Sequence, residues 1–197
     1  MTPDRVLDLG PFGEPLGPLD ARLANALRVS GVRWAIGTRV PEPLPRARLV
    51  ADVVVSEDPN RDIGAIDVAT TALLDVPVAL AAGPAGSVEI TRDVPGEIEL
   101  ATNAAGRRLL VVSESHHEGW RGEVDGVPCA VHRAYGDYLA CVVGPGRHQV
   151  RFHFAPASLR DGAWLSAAAA CAAALWLVLA IGASARSARR ADVDNLS

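Results

Sequence analysis

The chain has 197 residues, 49% hydrophobic and 21% charged, a balance that excludes a disordered or collagen-like polymer. All nineteen basic residues are arginine, set against 23 acids, and a net charge of −4 without a basic stripe argues against a nucleic-acid partner. Three cysteines exclude a disulfide-stapled miniprotein and a four-cysteine zinc site, and they leave room for one pair.

Residues 1–47 read as a Pro-rich segment holding one short helix and one short strand. Pro3, Pro11, Pro15 and Pro18 and several charges interrupt its start, so no signal-peptide core is expected there. Leu19, Leu23 and Leu27 fall on one helical face, and Gly31 is placed to stop that helix. The alternation of Val32 to Ile36 predicts a strand, and Arg48 to Val55 predicts another, ending at the turn-rich Glu57-Asp58-Pro59-Asn60. Residues 60–86 are ambiguous, with a short helix expected around Ile63 to Ala69.

From Ser87 the punctuation is regular. Strands are expected over Ser87 to Arg92, Glu97 to Thr102, Arg108 to Ser113, Trp120 to Val124, Val127 to Arg133, Tyr138 to Val143 and His148 to Phe154. Pro95-Gly96, Asn103 to Gly106, Asp125-Gly126, Tyr135-Gly136-Asp137 and Gly144-Pro145-Gly146 separate them. Asp125-Gly126 is the dipeptide favoured in two-residue hairpin loops of type I′. Seven short strands at this spacing predict a mainly β fold, an antiparallel β-sandwich over residues 48–158.

Residues 162–185 are twenty-four consecutive residues without a charge. As a helix they would extend roughly 36 Å, enough for a hydrocarbon core of about 30 Å. The expectation is therefore a sandwich followed by a single C-terminal transmembrane helix. Ala167, Ala170, Cys171 and Ala174 would offer a small-residue face to other transmembrane helices. A buried helix of a soluble core is the competing reading, since Ala167 to Ala174 is only weakly apolar. Arg186, Arg189 and Arg190 close the run and lie in the short basic tail, residues 186–197.

Leu110-Val111-Val112-Ser113-Glu114, Gly119-Trp120-Arg121, Val124-Asp125-Gly126, Arg133-Ala134-Tyr135, Gly144-Pro145-Gly146-Arg147-His148, Val150-Arg151-Phe152 and Phe154-Ala155-Pro156-Ala157-Ser158 occur in an order that resembles the C-terminal region of the YfhO family of bacterial integral membrane proteins. Upstream, Leu27 to Ile36 and Leu44-Pro45-Arg46-Ala47 are similar to that family's segment after its main membrane region. The likeness covers about residues 27–184. It departs at Glu118, where the family commonly has proline, and at His116 and His117, where it prefers an aromatic. The resemblance implies a polytopic membrane glycosyltransferase that uses lipid-linked sugar donors at the outer face of the membrane in cell-envelope glycosylation. Its catalytic acid is expected among N-terminal helices that this chain lacks. No catalytic residue is carried over, and no cofactor or metal is implied. The resemblance places the sandwich outside the cell and the tail, residues 186–197, in the cytoplasm, in line with the positive-inside rule, with the bilayer and other helices of the enzyme as partners.

The residues at the Gly119-Trp120 turn can be read without the family. Trp120 is either the core aromatic of the sandwich or a platform on which a sugar ring stacks, with His117, Glu118 and Arg121 supplying hydrogen bonds. His116 and His117 are adjacent and would point to opposite faces of a strand, which argues against a metal site. His132, His148 and His153 would have to converge from separate strands. No Gly-x-Ser-x-Gly elbow supports a serine hydrolase. Folding the hairpin Val127–Arg133/Tyr138–Val143 about Tyr135 would set Cys129 opposite Cys141, within reach of a disulfide. The alternative is two free thiols on a sheet.

Two functions stay open: the non-catalytic outer domain and final anchor of a YfhO-like glycosyltransferase, or a free-standing membrane-anchored carbohydrate-binding or adaptor module. An adjacent coding sequence for hydrophobic helices upstream of Met1 would favour the first.

Overall fold

The computed structural model describes residues 19–35, 38–158 and 161–176. The described residues up to Phe154 belong to one compact unit, and those from Ala155 onward belong to a second.

In the first unit, α1 spans Ala21–Val29. The Asp20 side chain accepts the Leu23 N–H at 2.7 Å at its start, and Gly31 takes a positive φ just past its end. The helix turns Asn25 and Val29 inward, whereas Leu23 of the expected leucine row is exposed. Asn25 docks it by donating to the carbonyls of Ile63 and Ile66 at 2.8 and 3.1 Å. A small ladder, β1 (Trp34–Ala35) with β2 (Thr38–Arg39), follows.

The strand expected over Arg48 to Val55 is two strands, β3 (Ala47–Val50) and β4 (Asp52–Val55), broken at Ala51. After them come α2 (Pro59–Asp62), a 3-10 turn (Ile63–Ala65) and β5 (Thr71–Leu74), a strand the sequence reading left unassigned. The remaining strands are β6 (Ser87–Val94), β7 (Glu97–Ala104), β8 (Arg108–Ser115), β9 (Trp120–Val124), β10 (Val127–Cys129), β11 (His132–Ala134), β12 (Tyr138–Val143) and β13 (Gly146–Phe154).

These strands form two sheets. One has the order β10-β9-β13-β7-β6 and the other β3-β8-β12-β11-β5-β4. All pairings in them are antiparallel except that of β4 with β5. The mainly β, sandwich-like architecture expected from the strand spacing is thus present. Only Ala51 separates β3 from β4, so one kinked strand joins the two ends of the six-stranded sheet and the sheet curls on itself.

The core is double. Ile98, Leu100, Val150, Phe152 and Trp120 face Leu49, Leu110, Val112, Leu139 and Cys141 between the sheets. Val50, Leu109, Val111 and Ala140 point the other way, into a second cluster with Val29, Ile63, Val68 and Tyr135. The unbroken run Leu109-Leu110-Val111-Val112 follows from this, because a strand covered on both faces has no reason to alternate. The Pro-rich N-terminal segment accordingly contributes α1 to the covering layer of the same unit.

Asp125 and Gly126 carry φ of 51° and 77° and close the β9–β10 hairpin, with Val124 opposite Val127, as the dipeptide predicts. The hairpin expected over Val127–Arg133 and Tyr138–Val143 is shorter. His132, Arg133 and Ala134 pair with Ala140, Leu139 and Tyr138, so the fold centres on Gly136. Cys129 has left that hairpin: it lies opposite Gly122 in the five-stranded sheet, while Cys141 lies opposite Leu110 in the six-stranded one. The chain crosses between sheets at Ala130-Val131, so a register count along one hairpin could not place the two cysteines. Both are free thiols, as is Cys171.

Arg48 is 6% exposed, and its three guanidinium nitrogens are buried with no hydrogen-bond partner among the described residues. The Tyr135 ring, its centroid 5.4 Å from the Arg48 Cζ, partly compensates the charge. A cation held out of water without an acid costs more than an apolar chain of similar length. Arg48→Met should therefore raise the unfolding free energy by about 1–3 kcal/mol, read from denaturant midpoints at constant slope. A loss of stability would show that the guanidinium is compensated.

In the second unit, residues 161–176 are helical and all are exposed, including Trp164, Leu165, Leu175 and Trp176. No helix of the described residues is long and apolar enough to cross a membrane. The part of the expected span from 177 to 185, and the tail 186–197, lie outside the described residues.

Candidate functional site

The β8–β9 loop and the start of β9 border a cleft of about 470 Å³. The local sequence builds its rim. His117 Nδ1 accepts the Gly119 N–H at 2.9 Å, and the Trp120 N–H donates to the His117 carbonyl at 3.0 Å, so the loop closes on itself. Arg121 Nη1 donates to the carbonyls of Glu118 and Trp120 at 2.6 and 3.1 Å, which folds its guanidinium back along the rim.

All four residues expected to bind sugar, His117, Glu118, Trp120 and Arg121, border this cleft. They differ in what they expose. His117, Glu118 and Arg121 are open to solvent. Trp120 is 8% exposed, a member of the inter-sheet core, with its ring 5.4 Å from that of Phe154. His117 meets the same Phe154 ring edge-on at 5.4 Å. The indole therefore forms the floor and has no open face on which a pyranose could lie.

Sequence reading missed the far wall. His153 and Cys129 line the cleft from β13 and β10, and His153 Nδ1 is buried without a hydrogen-bond partner among the described residues. An unpaired ring nitrogen at a cleft wall is a ready donor or acceptor for a polar ligand. Nothing local to His153 marks it; register places it opposite Arg121. His116 also borders the cleft, and burial, aided by the Arg133 guanidinium, pushes its pKa down.

Ser113, Ser115 and His148 have structural partners of their own. Ser113 Oγ donates to the Val29 carbonyl and Ser115 Oγ to Asp137, so neither is set against a catalytic base. Among the described residues no three His, Cys, Asp or Glu side chains converge as a metal site would need. His148 is held elsewhere: its Nδ1 lies 2.6 Å from Asp125 Oδ2 and its Nε2 3.1 Å from the Pro145 carbonyl.

That pair sets a pH dependence. The Asp125 carboxylate, then the Pro145 carbonyl, raise the His148 pKa above its ordinary 6.5. His148, then the Gln149 N–H, lower the Asp125 pKa below its ordinary 3.8. The imidazolium contribution is complete below pH 6.5 and is lost as pH rises through the raised value. The carboxylate contribution is present above pH 3.8 and is lost as pH falls through the lowered value. Asp125→Asn should thus cost most stability between those two limits and progressively less above them. Unfolding midpoints measured against pH check this, and a constant difference across the range would refute it.

No family model, curated protein or solved structure matches this chain.

Proposed function

We propose that this chain is the non-catalytic outer β-sandwich and final membrane anchor of a YfhO-like glycosyltransferase, acting in cell-envelope glycosylation with a lipid-linked sugar donor. The observation that carries this reading is the helical segment after the sandwich. Its described residues are all exposed, they include two tryptophans and two leucines, and they begin a charge-free run of twenty-four residues. Exposed apolar side chains of that size call for lipid or other transmembrane helices. In this reading the sandwich lies outside the cell and the arginine-bearing tail inside.

The test is made on membranes of cells expressing the chain. Retention after alkaline carbonate washing, with the sandwich digested by protease added to intact spheroplasts, is the expected result. Release by carbonate, or a protected sandwich, would overturn it. The purified chain should transfer no sugar, because the reacting groups belong to helices it does not contain.

The cleft favours a second reading, a free-standing membrane-anchored carbohydrate-binding module. Its volume falls within the range of about 300–1,000 Å³ usual for small-molecule sites, and His117, Glu118, Arg121 and His153 offer it polar groups. Saturable binding of an envelope oligosaccharide, abolished by Glu118→Ala together with Arg121→Ala, would distinguish this module from a purely structural outer domain.

A further inference from the structure

The two sheets each bring one cysteine to the same place in the core between them. Cys141 sits in β12, an interior strand of the six-stranded sheet, and is 0% exposed. Cys129 ends β10, the edge strand of the opposite sheet, and packs against the cluster that contains Cys141. Each thiol is the largest influence on the other's ionisation. Gly122 makes room for this arrangement: a Cβ at that position would lie 2.9 Å from Cys129 Sγ.

Access is unequal. Cys129 is half-buried and lines the cleft described above, whereas Cys141 is fully buried and does not line it. We infer that Cys129 and Cys141 form a redox-active dithiol, in which Cys129 is the thiol that reacts with an external disulfide and Cys141 is the one that resolves it into a bond across the sandwich. The contact with Cys141 lowers the Cys129 pKa and raises that of Cys141 well above the usual range, the asymmetry expected of an attacking and a resolving thiol. This inference concerns the sandwich alone and does not rest on the membrane reading.

The oxidant class is a small disulfide such as oxidised glutathione. Cys129 Sγ, as thiolate, attacks one of its sulfurs; the S–S bond breaks, a mixed disulfide forms and one glutathione thiolate leaves. Cys141 Sγ then attacks Cys129 Sγ, expels the second glutathione and closes the protein disulfide. The two electrons of the dithiol end on the two glutathione sulfurs, and the two thiol protons are taken up by the released thiolates.

The experiment uses the full chain carrying Cys171→Ser, so that only the two sandwich cysteines remain of the three. Reduced protein is incubated with oxidised glutathione, denatured, alkylated and weighed intact. Loss of both alkylatable thiols with no glutathione retained, and a higher unfolding temperature that falls back on reduction, is the expected outcome. Adding Cys141→Ala should trap glutathione on Cys129, while adding Cys129→Ser should leave Cys141 unmodified in the native protein. Retention of both free thiols, or a stable glutathione adduct on the protein that keeps Cys141, would overturn the inference whether or not the substituted forms fold.

Discussion

Arg108→Met should lower the unfolding free energy by about 3–5 kcal/mol. Arg108 opens β8 and is 0% exposed, yet its guanidinium is fully occupied by backbone. Nε and Nη2 donate to the Pro84 carbonyl at 2.9 and 2.7 Å, Nη1 to those of Ala81 and Arg107 at 2.5 and 2.9 Å, and Nη2 also to Ala82 at 3.4 Å. These carbonyls belong mainly to the irregular stretch that carries the chain from β5 in one sheet to β6 in the other. The side chain therefore fixes one of the crossovers between the two sheets. Methionine would keep much of the volume and remove every donor, so the carbonyls of Ala81, Ala82, Pro84 and Arg107 would lose the group that ties them to β8. Urea denaturation measures the loss, and proteolysis between residues 80 and 86 should accelerate alongside it. A change below about 1 kcal/mol would mean that the crossover is held by something else.

Trp120→Ala should cost a comparable amount, about 3–5 kcal/mol. The indole contributes to the inter-sheet core and packs beside Phe154, so alanine would leave a cavity between Phe154 and the cleft floor. Trp120→Phe, which retains most of the apolar volume, should cost less than half as much. A sugar platform would behave in the opposite way, losing binding while keeping its unfolding midpoint. Thermal and guanidinium unfolding of both variants separate the two roles. An unchanged midpoint for the alanine form would return the indole to the surface role.

The candidate site was legible where it is local. His117, Glu118, Trp120 and Arg121 lie within five positions, and a glycine before a strand-opening tryptophan fixes them around one turn. His153 and Cys129 reach the same cleft through strand pairing, β13 with β9 and β10 with β9, and no local pattern announces that. The burial of Trp120 was equally open, because an indole at the start of a strand suits a core and a rim alike until the opposite sheet is in place.

The sequence by itself determined the strands from Ser87 to Phe154, the Asp125-Gly126 turn and the mainly β class. These rest on interactions within a few residues: turn dihedrals, alternation and the preferences of branched side chains. Tertiary structure decided the rest. It split Val127–Arg133 between two sheets, broke Arg48–Val55 at Ala51, recruited β5, and buried both faces of β8 under a layer that includes α1. It also brought Cys129 and Cys141 into one cluster between the sheets, although the hairpin expected to pair them begins only at His132. Each of these outcomes depends on which sheet a segment joins. That choice is made by burial summed over distant partners, a quantity no local window of the chain contains.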